Sequence, residues 1–292
     1  MKKFLTIFLL LISICFNPSN SHAEKIKVIA SIHPLGDFVK QVAGDSVDVR
    51  VLLPAGASPH TFEPTSKAVK DVSEARVFIK IGAGLEFWAE KMIKSSGNKK
   101  LIVIDCSEGL PLIKLQEKHN HHISEYDPHI WLDPLNVLKI IDKISKTLSS
   151  VDPLNAALYK KNAESYKESI IKLDNEISKR VNNFKIKEYV TFHPAWNYFS
   201  KRYGLKVAGV IEESPGKEPG PKHISKIIKE IKRIGSKVVF VEPQFNPKIA
   251  SVIAKDANAQ IVYLDPIGGQ KGKETYIDMM KYNISSLERV MR

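Results

Sequence analysis

Short runs of apolar residues alternate with stretches in which apolar residues recur every three or four positions, and this rhythm occurs twice along the chain. Short apolar runs bounded by turn residues predict buried strands, and the wider spacing predicts amphipathic helices. In the first half the predicted order is strand 27–31, helix 34–43, strand 47–53, helix 66–73, strand 77–81, helix 85–94 and strand 101–105. In the second half it is strand 188–192, helix 195–203, strand 206–211, helix 222–234, strand 237–241, helix 247–256 and strand 260–264.

Strands that alternate with helices predict an α/β fold with parallel-type sheets covered on both faces. Between the halves, one helix is predicted to run from Asp133 or Pro134 to about residue 149, and Asp152-Pro153 begins another. Residues 154–181 contain neither Gly nor Pro, so this second helix of about 28 residues would be about 42 Å long. We therefore expect two (β/α) lobes with limited relative motion, bridged by a long rigid helix. The predicted boundaries are 24–151 for the N-terminal lobe, 152–183 for the linking helix and 184–292 for the C-terminal lobe.

The first residues predict export. Lys2-Lys3 precede an apolar run over 4–16, which is too short to span a bilayer, and the following polar stretch ends in Ser21-His22-Ala23. We expect residues 1–23 to be a signal peptide, cleaved after Ala23, and the protein to be periplasmic. Cys106 is then the remaining cysteine, which excludes an intrachain disulfide and a thiolate-rich metal site.

The formal net charge of +12 changes this picture little. A basic balance can indicate nucleic acid or an anionic membrane as partner. Here the lysines are spread along the whole chain instead of forming one block, so we expect no nucleic-acid binding.

Four side chains are candidates for metal ligands. His60, His193 and Asp265 each follow a predicted strand, and His129 lies in a loop able to reach the same edge. Ligands of open α/β sheets bind outside the carboxyl ends of the strands. Three imidazoles and one carboxylate make a four-coordinate site that suits Zn²⁺ at about 2.0–2.2 Å. A lone loop histidine is usually a surface residue, so the prediction rests on their convergence.

Further side chains are expected around this site. His33 could line the cleft as an additional candidate, and His223 is expected to be exposed. The expected supporting residues are Asp127, Asp133 and Glu63 as partners that orient the imidazoles, Trp131, Trp196 and Phe62 as apolar walls, and Trp88 as core.

Four segments carry a family resemblance, namely 58–64 (SPHTFEP), 127–134 (DPHIWLDP), 192–199 (FHPAWNYF) and 240–245 (FVEPQF). The chain resembles the periplasmic solute-binding components of zinc ABC importers, the zinc uptake protein A-like members of metal-binding cluster A-I. The resemblance implies two lobes with one metal in the cleft, and His60, His129 and His193 as ligands. Asp265 is implied as the fourth, with water or a neighbouring carboxylate as alternatives.

The resemblance implies capture of Zn²⁺ and its delivery to membrane permease subunits of an ABC importer, by a monomer. Manganese-binding relatives tend to have Glu where His193 stands, and imidazole favours Zn²⁺ over Mn²⁺. Mn²⁺ or Fe²⁺ as cargo remains the alternative. Zinc importers of this kind often carry a long His-rich insert, which here is only His119, His121 and His122, either a weak auxiliary trap or a solvated loop.

A zinc hydrolase is the enzyme alternative. It needs three ligands with an open position for water and a general base nearby. The chain has no His-Glu-x-x-His motif, and a closed four-ligand site has no place for an activated water. We therefore expect no catalytic activity.

Overall fold

The structure is a computed structural model that describes residues 25–115, 124–214 and 216–292. The predicted signal peptide and His119, His121 and His122 lie outside these residues. The described part forms eight strands and nine α-helices. The strands are β1 (Ile26–Ala30), β2 (Val47–Val51), β3 (Val77–Lys80), β4 (Ile102–Asp105), β5 (Glu188–Thr191), β6 (Lys206–Val210), β7 (Val238–Val241) and β8 (Gln260–Tyr263). The helices are α1 (His33–Ala43), α2 (Ser66–Ser73), α3 (Ala89–Ser96), α4 (Pro134–Val151), α5 (Ala156–Asn182), α6 (Asn197–Tyr203), α7 (Pro221–Ile234), α8 (Lys248–Ala257) and α9 (Tyr276–Met291).

Two four-stranded sheets confirm the predicted fold class. Their strand orders are β2-β1-β3-β4 and β6-β5-β7-β8, and every pairing is parallel. Parallel sheets need cover on both faces, which explains the unbroken apolar run of β7, whose four residues are all buried. In each sheet the first strand in the sequence is an inner strand, the second pairs on one side of it and the third pairs on its other side. This places the carboxyl ends of the inner strands together, where ligands are usually bound.

The predicted elements agree with the observed ones within a few residues, with two corrections. The helix expected from residue 85 begins only at Ala89, because Gly82 and Gly84 adopt positive φ and residues 85–88 still turn. Helix α9 was not predicted at all. Its signals were nevertheless present, because Thr275 caps its first turn and buried apolar residues recur along it.

Helix α5 bridges the lobes, as predicted. It contains 27 residues and follows a short 3-10 turn at Pro153–Asn155. It packs against α1 and α4 on the side of the first sheet and against α6 and α9 on the side of the second. One continuous apolar core includes residues of both lobes and the buried face of α5. The exact boundaries at 151/152 and 183/184 stay a prediction.

Hydrogen bonds also join the first lobe to the second lobe and to the bridging helix α5. The Asp37 carboxylate in α1 accepts from the Tyr276 backbone N–H at 2.8 Å and from the Tyr166 hydroxyl at 3.2 Å. The Trp131 indole donates to the Pro266 carbonyl at 2.7 Å, and the Tyr276 hydroxyl donates to the Trp131 carbonyl at 2.8 Å. All four bonds involve buried groups, for which a lost partner is costly. They support the expectation of limited relative motion.

None of the helices in the described ranges combines the length and the apolar character that crossing a bilayer requires.

Two adjacent isoleucines of α5 provide a test of the apolar core that both lobes share. Ile170 is 0% exposed and Ile171 is 45% exposed. We expect Ile170→Ala to lower the free energy of unfolding by about 2–5 kcal/mol, because it leaves a cavity in the core that both lobes share. Ile171→Ala should change it by less than about 1 kcal/mol, because the side chain is half in solvent. Urea unfolding of both variants measures the difference, and equal losses would contradict the shared core.

Candidate metal site

Three histidines occupy loops at the carboxyl edges of the sheets. His60 lies in the loop that follows β2, and His193 lies two residues after β5. His129 directly precedes the short 3-10 turn Ile130–Leu132. Each has a proline as an immediate neighbour in the sequence, which restricts the backbone on one side of the ligand. Two of the side chains therefore come from the first half of the chain and one from the second.

The three imidazoles converge. One ring nitrogen from each of His60, His129 and His193 lies within 4.8 Å of the others. The Nε2 atoms of His60 and His129 are 3.2 Å apart, and the ring centroids are separated by 5.2 to 5.7 Å. In a tetrahedral site with Zn–N bonds of about 2.0–2.1 Å, two ligand nitrogens lie about 3.3 Å apart. The spacing therefore fits three ligands of one ion.

Asp127 fixes the orientation of His129. Its Oδ1 lies 2.8 Å from His129 Nδ1 and also accepts from the His129 backbone N–H at 2.9 Å. Its Oδ2 accepts from Asn197 Nδ2 at 2.9 Å, which ties this carboxylate to the second lobe. Because a carboxylate only accepts, His129 carries its proton on Nδ1 and presents the Nε2 lone pair to the cluster. Asp127 thus has the orienting role expected from the sequence.

Glu242 fixes the orientation of His193, a role that the sequence did not predict. It follows β7 directly, is 1% exposed and hydrogen-bonds His193 Nδ1 through Oε2. Its Oε1 accepts from the Trp196 indole N–H at 2.9 Å, so Trp196, expected as a wall of the cleft, is a core residue that positions Glu242. The Phe245 ring packs against His193 with centroids 4.8 Å apart. Both carboxylate oxygens of Glu242 are therefore held by hydrogen bonds before any ion binds.

Burial favours the neutral form of the His60 and His129 imidazoles. Desolvation, followed by the proximity of His129 and His193, lowers the pKa of His60 well below its usual value of 6.5. Desolvation also lowers the pKa of His129, although the neighbouring Asp127 acts in the opposite direction. Neutral imidazole is the form that binds a metal, so the site is ready for an ion at neutral pH.

The cluster borders a small cavity. The space available to the centre of a water-sized sphere is about 10 Å³, which suits one ion or water and excludes an organic ligand. The lining residues are Ser58, Pro59, His60, His129, His193, Gln244, Phe245, Pro266 and Ile267.

Asp265, the fourth predicted ligand, is buried nearby but does not belong to the cluster of ligand atoms. Its carboxylate hydrogen-bonds Gln244 and Lys273 instead. Its role as the fourth ligand stays a prediction. His33 is likewise outside the cluster, close to Gly269.

Two supporting residues have other roles than those expected. Asp133 caps α4 by accepting from the Leu135 backbone N–H at 2.9 Å, and Glu63 is exposed. The expected walls are only partly at the site. The Trp131 ring is 5.4 Å from His129, whereas Phe62 packs against the core residue Trp88 at 4.9 Å.

Comparison with known proteins points to one family. The family model described as "Zinc-uptake complex component A periplasmic" matches residues 28–290. The chain is 30% identical over 297 residues to the "High-affinity zinc uptake system protein ZnuA" of Bacillus subtilis, covering 96% of this chain and 93% of that protein. It is similar to a solved structure described as "Crystal structure of ZnuA", with a TM-score of 0.83, 28% identity and coverage of 92% of this chain and 100% of that one.

A longer relative is similar as well. The "Zinc-binding protein AdcA" of Streptococcus pyogenes is 30% identical over 315 residues, covering 98% of this chain. The match covers 61% of that relative, so the chain spans about three-fifths of its length. The family model covers nearly the whole described chain, and the two-lobed fold agrees with the solved structure. The chain therefore belongs to the family of the periplasmic component A of zinc-uptake complexes.

Proposed function

We propose that this chain binds Zn²⁺ in the periplasm, after cleavage behind Ala23, and delivers it to the membrane permease subunits of an ABC importer. The observation that supports this most is the convergence of three imidazole nitrogens on one point, two of them with a carboxylate behind the ring. Relatives named for zinc binding or zinc uptake support the choice of cargo. We further propose that it acts as a monomer and does not bind nucleic acid.

His60, His129 and His193 are the proposed ligands. Imidazole donors suit Zn²⁺ better than Mn²⁺, which prefers carboxylate and carbonyl oxygens. The carboxylates next to the site also suit a divalent ion. Asp127 and Glu242 are two acidic side chains, and each hydrogen-bonds Nδ1 of a proposed ligand. Three imidazoles therefore favour zinc over the alternative cargoes, Mn²⁺ and Fe²⁺. For the fourth position the sequence suggests Asp265.

Binding is favoured over hydrolysis by the use of the carboxylates. A zinc hydrolase needs a general base that can accept a proton from the metal-bound water. Asp127 and Glu242 each use both oxygens to hold a histidine and a neighbouring side chain. Neither is placed to take up a proton from water. The arrangement therefore favours a site that holds an ion without activating it.

Removing one ligand tests the assignment. We expect His193→Ala to weaken Zn²⁺ binding by more than about 100-fold, because loss of a residue that merely orients a ligand already costs about 10–100-fold. Competition against a chromophoric zinc chelator measures the affinity, and metal analysis of the isolated protein measures the stoichiometry.

His223→Ala is the matched control. His223 is not part of the three-histidine cluster, and its Nε2 donates a hydrogen bond to the Val210 carbonyl at 2.8 Å. We expect this variant to bind one Zn²⁺ with wild-type affinity. Wild-type affinity in His193→Ala, or tighter binding of Mn²⁺ than of Zn²⁺ by the wild type, would refute the proposal.

The lowered histidine pKa values predict how acid acts on the metal-free protein. Below about pH 6.5 the unfolded chain takes up protons on His60 and His129 that the folded chain resists. The free energy of unfolding should therefore fall as the pH decreases from 7.5 to 5.5, by up to about 1.4 kcal/mol per pH unit for each histidine. We expect His60→Gln to have a shallower slope in urea unfolding measured across this range. Parallel curves for the two proteins would show that His60 is not held neutral by the fold.

A further inference from the structure

The Asp265 carboxylate already accepts four hydrogen bonds. Its Oδ1 accepts from the backbone N–H groups of Ile267 and Gly268 at 3.0 Å each, and from Gln244 Nε2 at 2.9 Å. Its Oδ2 accepts from Lys273 Nζ at 2.5 Å. An ionised carboxylate offers about four lone-pair sites, so four donors occupy most of its capacity. Asp265 is also absent from the residues that line the cavity.

Lys273 is held in place by its surroundings. Its side chain is 11% exposed, and its ammonium lies 4.9 Å from the centre of the Tyr282 ring. The loop that carries it is closed by two backbone hydrogen bonds of 2.8 Å, from Gly269 N–H to the Lys273 carbonyl and from Lys273 N–H to the Gln270 carbonyl. An ion that recruited Asp265 would leave this buried ammonium without its charged partner and with only the Gln270 Oε1 at 3.4 Å as a side-chain acceptor among the described residues, which is unfavourable. The ion pair therefore opposes coordination by Asp265.

Gln244 has the free acceptor that Asp265 lacks. Its side chain lines the cavity together with His60, His129 and His193. Because Asp265 Oδ1 can only accept, the amide atom that faces it must be the nitrogen, which fixes the opposite atom as the oxygen. Among the described residues this Oε1 is buried and has no hydrogen-bond partner. A buried acceptor without a partner in a native site calls for an explanation, and a bound cation supplies one.

We propose that the amide oxygen of Gln244 is the fourth donor to the transported ion, and that Lys273 determines specificity by holding the Asp265 carboxylate out of the coordination shell. The inference rests on the proposed function and names the donor set of the same site. Three imidazoles and one amide oxygen are all neutral. The charge of a divalent ion is then balanced by Asp127 and Glu242, while Asp265 and Lys273 balance each other.

This donor set has a consequence for selectivity. Carboxylate oxygens are preferred by Mn²⁺, whereas imidazole suits Zn²⁺. A site that withholds its nearest carboxylate therefore disfavours Mn²⁺ without changing the three histidines. Lys273 acts through Asp265 and does not touch the ion.

The first test removes the oxygen of Gln244. We expect Gln244→Ala and the larger Gln244→Leu both to weaken Zn²⁺ binding by about 10–100-fold and to change the visible absorption spectrum of the Co²⁺-loaded protein, which reports the donor set directly. Urea unfolding of the metal-free variants shows that they are folded. Wild-type Zn²⁺ affinity and an unchanged Co²⁺ spectrum in the two variants would overturn the assignment of Gln244.

The second test removes the ion pair as a unit. Asp265→Asn combined with Lys273→Met leaves no unpaired charge, and the asparagine amide keeps an oxygen that can accept from Gln244 Nε2. We therefore expect its Zn²⁺ affinity to stay within a factor of about 3 of wild type, with an unchanged Co²⁺ spectrum. Lys273→Met alone frees the carboxylate and should tighten Mn²⁺ binding by at least about 10-fold. A loss of Zn²⁺ binding in the double variant as large as that of His193→Ala would identify Asp265 as the ligand. Zinc binding that needs His193 but not Gln244 would refute this inference alone, whereas binding that needs neither would refute the proposed function.

Discussion

Three imidazole nitrogens held within 4.8 Å of one another are the constraint on which the rest of the structure depends. Such groups repel one another and lose their water, so the chain must enforce their approach. It does so by placing the imidazoles in loops at the sheet edges and by fixing two of the rings through carboxylates at Nδ1. The ordering cost is met by the folding of a large common core, and an ion then finds its donors already arranged.

The same constraint explains why the two lobes share one core. Two of the histidines belong to the first half of the chain and one to the second, so any change in the relation of the lobes would change the distances between donors. Asp127 makes this link explicit, because it holds His129 with one oxygen and Asn197 of the other lobe with the second. The long helix and the buried inter-lobe hydrogen bonds also keep the lobes, and therefore the histidines, in a fixed relation.

Much of the fold was predictable because its signals are local. Parallel strands, the bridging helix and the bounds of α2 follow from apolar spacing and from caps within a few residues. The late start of α3 depends on glycine turns that have no apolar pattern. At the site, Asp127 was identifiable because it stands two residues before its histidine. Glu242 is 49 residues from His193, and only the neighbouring positions of β5 and β7 bring them together, a relation that spacing does not encode. The place of Lys273 beside Asp265 depends in the same way on how one loop closes.

The continuous core has a consequence for any partner that must distinguish a loaded protein from an empty one. If the outline of both lobes is nearly the same in the two states, recognition cannot rely on gross shape. What changes on loading is the charge at the mouth of one small cavity and the freedom of the few side chains around it, such as Phe245 and Ile267. A transport partner would then have to sense electrostatics and local order, and to extract the ion it would have to deform the loops themselves.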